Sequence, residues 1–470
     1  MSELTIKPAL ELLRLLRSRE VSSVELVEEH IREIERLDPS LHAFAHFDPE
    51  RALLAAQAAD KQCGEDSAPL LGLPMTVKAS ISTAGYRCET GSTLNRRFVP
   101  VDDAIVVERM KAAGAVILGT TNCPEFLMAY ETDNRLYGRT SNPWNLAYSA
   151  GGSSGGEAAA IAAGLSAMGL GSDSGGSVRV PAHFCGICAL KPTPGRVPGR
   201  GHVPAGVGPF SILGAVGPMA RTVADVSLLF EVLAGQDVLD PSSSPVPYRR
   251  VSLDDAKQIP IGWFEDDGLT PVTAETREAV RGAARALEEQ GFRVERFRPA
   301  ALEEARELWW TFFMQCGAMF NAPAIAGREA ELSPIYREFL ELEREAPALV
   351  TAEQLLNAWA RCDVVRGKLL AEMRRFPVLL LPVCAVPAFR HGEREWTVDG
   401  QRVRYLDAMR YTQWFNLLGA PAAVVPVGSS VDGLPIGVQI AGRPFEDELV
   451  LAVASCVERA FGFRVPPMFG

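Results

Sequence analysis

Apolar positions recur at helical spacing over residues 3–37: Leu12, Leu15 and Leu16, then Val24, Val27, Ile31 and Ile34. Ser22 and Ser23 precede the second run, and Glu25 and Glu28 fall in its first turn, which is the pattern of a helix start. Ala52–Lys61 continues as helix, so the chain opens with what reads as a helical cap over a sheet. The texture changes at Leu71. Pro74–Lys78 reads as a short strand ending on a lysine, and Ala115–Gly119 as a fully apolar strand, with a helix at Ala104–Ala113 before it. A Pro- and Ser-rich loop at 236–258 leads into a strand around Ile259–Trp263, a helix at Ala274–Gln290 and a strand at Phe292–Phe297. Residues 301–375 read as mostly helical, with Trp309, Trp310, Phe312, Phe313 and Phe320 forming an aromatic stretch. Strands return at 376–386 and 422–443, and a helix at Leu449–Ala460 closes the pattern. Strands alternating with helices predict an α/β fold with a mixed sheet.

Charge narrows the function classes. Lys plus Arg is 47 against 58 Asp plus Glu, a net charge of −11, which does not supply the positive field that nucleic-acid binding needs. The charged helices near 274–290 and 328–346 read as solvated faces. No run reaches the roughly 18 apolar residues of a membrane span. The N-terminal segment lacks the charged region and apolar core of a secretory signal. Nine cysteines, at 63, 88, 123, 185, 188, 316, 362, 384 and 456, have no regular spacing. That fits reduced thiols and a cytoplasmic protein better than a disulfide framework.

Catalytic residue types are densest at residues 149–193, where Gly-Ser turns around Ser153 and Ser177 flank a helix at Glu157–Leu165. The segment satisfies G-x-S-x-G, the pattern of a nucleophile elbow. Such an elbow needs a downstream histidine, yet the chain has six in all and only His183, His202 and His391 follow the serines. A neutral lysine can deprotonate a serine instead. Lys78 ends an apolar strand, where burial would lower its pKa toward that of a usable base. Cys185 and Cys188 form a lone C-x-x-C without the second pair of a zinc site, so packing is the preferred reading and no metal is expected.

Lys78 in GLPMTVKAS, Ser153 in GGSSGG and Ser177 in GSDSGGSVR together resemble the amidase signature hydrolases. Further matches are SNPWN at 141–145, FCGICALKPT at 184–193, GPMART at 217–222 and GLPIGVQIAG at 433–442. The resemblance implies a single domain over 1–470, with a large mixed sheet covered by helices on both faces. Its parts would be N-terminal helices at 1–65, a signature core at 70–235, a variable pocket region at 236–375 and the rest of the core at 376–470. It also implies a Ser-cisSer-Lys triad: Ser177 as nucleophile, Ser153 (after a cis peptide bond) as relay and Lys78 as base. The N–H groups of Ser174, Gly175, Gly176 and Ser177 would form the oxyanion hole. Ser154, Asp173 and Arg179 would brace the loop or the relay, and Leu127 and Met128 would line the acyl pocket, although turn stabilisation and core packing explain these five equally well. No cofactor is implied, and a homodimer is one assembly the family uses.

The implied reaction is hydrolysis of a carboxylic amide to acid and ammonia or amine through an acyl-enzyme. A rival within the fold is the glutaminase component of a tRNA amidotransferase. The aromatic segment WWTFFMQCGAMF at 309–320, without a recognisable polar, Arg-bearing glutamine site, favours an apolar acyl group. A binding protein that has lost activity is disfavoured because all three triad positions are filled.

Overall fold

The computed structural model describes residues 3–62, 64, 67–208, 210–344 and 351–467, with backbone alone at 343 and 344. Cys63 and positions 345–350 of the expected helical stretch lie outside the described residues.

Eleven strands form one sheet: β1 (Phe44–Phe47), β2 (Pro74–Lys78), β3 (Val116–Thr121), β4 (Met168–Asp173), β5 (Cys188–Lys191), β6 (Ala215–Ala220), β7 (Ile261–Trp263), β8 (Val294–Arg296), β9 (Val378–Pro382), β10 (Ala422–Ser429) and β11 (Pro435–Gly442). Their spatial order is β1-β3-β2-β4-β6-β5-β10-β11-β9-β7-β8. The sheet is mixed: β2 runs parallel to both β3 and β4, whereas β6 is antiparallel to β4 and β5.

Two apolar clusters lie on opposite faces of this sheet, and the two-residue period of a strand assigns each side chain to one of them. On β2, Met75 and Val77 join the cluster built with the helices at Ile105–Ala112, Val223–Leu233, Ala274–Glu289 and Asp447–Phe461. Thr76 and Lys78 therefore point to the other face, where the main neighbour is the helix at Gly155–Ala162. On β4 the same alternation puts Met168 and Leu170 with the first cluster and leaves Gly169, Gly171 and Asp173 facing that helix. A Cβ at Gly169 would come within 2.0 Å of Glu157 Oε1, and one at Gly171 within 2.8 Å of Ser154 Oγ. Glycine on this face thus lets the helix settle directly on the strands. All eight helix residues are buried, and alanine and glycine flank Glu157 on both sides.

The structure corrects several sequence expectations. The N-terminal stretch is two helices, Ala9–Arg17 and Ser23–Leu41, divided at Arg19, which takes a left-handed backbone. Ser22 starts the second as a capping box: its hydroxyl accepts from Glu25 N–H and Glu25 accepts from the Ser22 N–H. Residues 149–217, read as turns around one helix, also carry β4, β5 and β6. The region after 390 adds a hairpin, Glu395–Val398 with Gln401–Arg404, and a buried helix at Arg410–Leu417. Both reach the site described below.

Candidate active site

Lys78, at the end of β2, is fully buried. Its Nζ lies 2.6 Å from Ser153 Oγ, 3.1 Å from Ser172 Oγ and 3.5 Å from Ser172 O. No carboxylate lies within ion-pair distance of it among the described residues. Burial, the largest influence, pushes its pKa down to about 8, against the raising fields of Cys123, Asp173 and Glu157. A neutral amine has two N–H donors and one lone pair. It can thus donate to both oxygens of Ser172 while its lone pair faces the Ser153 hydroxyl, so the three contacts suit an uncharged lysine.

Ser153 follows a cis peptide bond from Gly152 and is 1% exposed. Ser177 is 9% exposed and lines a cavity, where its Oγ makes no hydrogen bond among the described residues. Its carbonyl accepts from Ser154 N–H at 3.0 Å, which ties the two serine turns together. Ser154 Oγ bonds the Ser172 backbone, with both N and O at 3.3 Å, and so supports the neighbour of Lys78 rather than Ser153 itself. Ser172 has no motif of its own in the sequence; its position in GSDSGGS, five residues before Ser177, is the only signal for it.

The turn between β4 and the helix at Arg179–Cys185 is held from both sides. Asp173 Oδ1 accepts from Gly176 N–H at 2.7 Å, Arg179 Nη2 at 2.9 Å and Asn416 Nδ2 at 2.9 Å. Its Oδ2 accepts from Val178 N–H at 3.1 Å, Arg179 N–H at 3.4 Å and Arg179 Nε at 3.0 Å. Burial alone would raise the Asp173 pKa, but the Arg179 charge and hydrogen bonds outweigh it and hold the carboxyl well below the usual carboxylate range. Arg179 in turn reaches Thr412 O at 2.9 Å and Gln439 Oε1 at 2.6 Å.

The loop carbonyls are anchored too. Trp309 Nε1 donates to Ser174 O at 3.1 Å, while Tyr130 Oη and Thr412 Oγ1 donate to Gly175 O at 2.9 and 2.6 Å. Within a trans peptide C=O and N–H point in opposite directions, so pinning Ser174 O fixes the direction of the Gly175 N–H. The same logic turns the Gly176 N–H toward Asp173. This corrects one assignment: of the four amides expected to hold an oxyanion, Gly176 already donates to a carboxylate. The N–H groups of Ser174, Gly175 and Ser177 have no acceptor among the described residues.

A cavity of about 760 Å³ opens onto Ser177 and Gly175. Leu127, Met128, Tyr130, Trp309, Trp310, Phe313 and Met314 are among its lining residues. Trp309 and Phe313 stack at 4.6 Å. Phe126 and Leu127 both adopt left-handed backbone, a conformation costing about 1–2 kcal/mol per non-glycine residue. Phe126 packs on Tyr336 at 5.2 Å, and Glu125 accepts from Ser92 Oγ at 2.7 Å and Ser333 N–H at 2.6 Å, which together hold the turn in place. The apolar pocket expected from the aromatic segment also carries charged residues. Arg306, Arg394, Arg402 and Arg404 line it with Glu338, Glu341, Glu395 and Asp407. Most of these charges pair with one another: Arg306 with Asp407, Arg402 with Glu395, and Arg394 with Glu338 and Glu131. No local motif marks them, because Arg402 and Arg404 come from the hairpin, Arg394 from just before it and Arg306 from the helix at Leu302–Trp309, so only the fold brings them to one cavity.

The histidine alternatives go elsewhere. His183 Nδ1 accepts from Gly437 N–H at 2.7 Å, His202 contacts Pro204 O and Ser80, and His391 lies against Leu146 O. Cys185 and Cys188 are buried, with their thiols directed at Ala150 O and at Glu458 Oε1. Among the described residues, no group of three His, Cys, Asp or Glu side chains is placed to hold a metal ion, and no helix is long and apolar enough to cross a membrane.

A family model described as Amidase matches residues 25–451. The chain belongs to the amidase signature family. Its relatives include a glutamyl-tRNA(Gln) amidotransferase subunit of Roseiflexus sp. (strain RS-1), 36% identical over 97% of this chain and 96% of the relative. Indoleacetamide hydrolase of Bradyrhizobium diazoefficiens is 33% identical over 95% of this chain and 85% of the relative. Among solved structures, a bacterial aryl acylamidase of the amidase signature family superposes with a TM-score of 0.85 at 28% identity, covering 98% of this chain and 97% of that one. The protein is thus an α/β amidase, a hydrolase of amide C–N bonds, with the large mixed sheet of its family.

Proposed function

We propose that the amidase hydrolyses amides of apolar, aryl- or alkyl-bearing acids through an acyl-enzyme on Ser177. The observation that carries this reading is the buried 2.6 Å contact between Lys78 Nζ and Ser153 Oγ, in a turn tied by Ser154 N–H to Ser177, which lines an aromatic cavity. Ser177 Oγ attacks the amide carbonyl carbon. Its proton passes to Ser153 Oγ as the Ser153 proton passes to Lys78 Nζ. The oxyanion settles among the N–H groups of Ser174, Gly175 and Ser177, each such donor contributing about 3–4 kcal/mol to the transition state. As the C–N bond breaks, the lysinium proton returns through Ser153 to the departing amine. Water then cleaves the acyl-enzyme through the same relay. No step requires a metal or an organic cofactor. Ser154, Asp173 and Arg179 hold the two turns in register, while Leu127 and Met128 face the acyl group.

The apolar acyl preference rests on Trp309, Trp310, Phe313 and Met314 and accords with relatives named for indoleacetamide and aryl acylamides. A second reading, the glutaminase component of an amidotransferase, is favoured by the amidotransferase relatives and by Arg404 and Glu341, which make no ion pair among the described residues. We rank it second because a zwitterionic head must be desolvated against the aromatic wall. The eight described cysteines are all free and buried, which suits a reducing cytoplasmic setting. The test is kcat/KM of the lone chain, as monomer or homodimer, for an arylacetamide, a medium-chain aliphatic amide and glutamine. The apolar amides should lead by about 10–100-fold, the scale of pocket discrimination. Glutamine in the lead, or activity only with a partner chain, would turn the assignment to the amidotransferase reading.

A further inference from the structure

We infer that Glu157 is a positioning residue for amide hydrolysis: its buried carboxylate holds the positive charge that Lys78 takes up when Ser177 is deprotonated. The inference rests on the Lys78–Ser153–Ser177 reading above.

Thr76 and Lys78 are two apart on β2 and share one face. Ser153 and Glu157 are four apart, across the start of the helix packed on that face. Lys78 meets Ser153, and Thr76 meets Glu157, so the two acid–base groups occupy adjacent rungs of one polar seam. Glu157 is fully buried. Its hydrogen-bond partners are hydroxyls: Thr76 Oγ1 on one oxygen, and Thr121 Oγ1 on the other at 2.7 Å. No cation touches it among the described residues, and the charge whose field acts on it is that of Lys78.

A purely structural seam does not need an acid here. Burying a carboxylate without a contacting cation is costly, and a neutral amide would serve two hydroxyls as well. The hydroxyls also leave room for two protonation states. Thr76 has one hydrogen but faces both Glu157 Oε1 and Ser166 Oγ, the latter at 2.9 Å, and the Ser166 hydrogen is directed at Met168 O. If Thr76 donates to Ser166, Glu157 must carry a proton and donate to Thr76. If Glu157 is a carboxylate, Thr76 turns to it instead. Burial raises Glu157 to about 7, partly offset by Thr76, Thr121 and Lys78. Its charge therefore changes in the pH range where Lys78 gains and loses its proton.

The other groups around the seam stay fixed there or face elsewhere. Asp173, beside Arg179, remains ionised. Burial pushes the Cys123 thiol, just beyond β3, up to about 12 and His202, in the loop between β5 and β6, down to about 4. Lys191 on β5, lowered to about 7 by burial, faces Arg179, Asp173 and Asp447, not Glu157.

The experiment is the pH profile, from pH 5 to 9, of Ser177 labelling by a fluorophosphonate in the full chain, together with kcat/KM. Losing a facing carboxylate makes Lys78 less basic, so in Glu157→Gln the acid limb should move about half to one pH unit lower. The plateau should fall about threefold to tenfold because a weaker base accepts the proton. Glu157→Asp, which keeps the charge, should hold the limb nearer its wild-type position. A folded Glu157→Gln protein whose profile superposes on the wild type overturns the inference. If that variant does not fold, Thr121→Val decides: removing a donor favours the protonated carboxyl, so the limb should move in the same direction, and an unmoved limb overturns the inference. Lys78→Ala separates the two levels. Labelling retained in Lys78→Ala would remove the triad reading itself, whereas Lys78→Ala inactive with an unmoved Glu157→Gln limb would remove the Glu157 role alone.

Discussion

Asp173→Asn perturbs the loop at its most connected point. Six donors converge on two carboxylate oxygens: Gly176 N–H, Arg179 Nη2 and Asn416 Nδ2 on one, and Val178 N–H, Arg179 N–H and Arg179 Nε on the other. An amide keeps the shape but sets an NH2 group against three donors and leaves the buried Arg179 uncompensated. Breaking one partner of a buried ion pair costs about 3–5 kcal/mol. With an unfolding entropy of about 2.1 cal/mol/K per residue, a chain of this length should lose about 3–5 °C in Tm. Activity should fall further, by about 100-fold or more, because the freed turn no longer presents its oxyanion donors. The pH dependence carries a sign. The folded Asp173 carboxyl lies well below its unfolded value near 4, so its stabilisation is complete above that pH and is lost as pH falls toward the folded value. The Tm gap between wild type and variant should therefore be constant from pH 7 to 5 and narrow below about pH 4. Thermal melts across that range, paired with kcat on an arylacetamide, give both readouts. An unchanged Tm, or a gap that widens with acid, would refute the reasoning.

Other outcomes follow from the same geometry. Because Lys78 must be neutral to accept a proton and burial brings it to about 8, kcat/KM should rise with pH through an inflection near 8; a rate that falls over pH 7–9 would contradict that role. Gly175→Ala would bring a Cβ within 2.7 Å of Trp309 Cζ2 and 3.0 Å of Tyr130 Oη, neither of which can yield without releasing a loop carbonyl. Its kcat should drop about 100-fold with little change in circular dichroism, and wild-type turnover would show that the anchoring of the loop by Trp309 and Tyr130 does not set the geometry of its donors.

Lys78, Ser153 and Ser177 stood out in the sequence because each sits in a compact motif, and the structure brings Lys78 Nζ to 2.6 Å from Ser153 Oγ. The strand at Pro74–Lys78 and the helix at Ala274–Glu289 stand close to where their periodicity placed them. Strand β4 was hidden because the Gly-rich stretch holding Gly169 and Gly171 reads as turn, although their lack of a side chain is what admits the helix carrying Glu157. Glu157 itself looks like an ordinary acid in a first helical turn, and only the fold buries it. Tyr130, Thr412 and Asn416 approach the loop from positions 40 or more residues away from it in sequence, without local motifs, so nothing short of the tertiary arrangement marks them. The charged cavity lining is hidden for the same reason.

The most direct test of the account is peptide mapping by mass spectrometry after fluorophosphonate treatment of the wild-type chain. One phosphonyl adduct is expected, on Ser177, formed in step with loss of amidase activity. An adduct on Ser153 with Ser177 unmodified, or full inactivation without an adduct on Ser177, would contradict it.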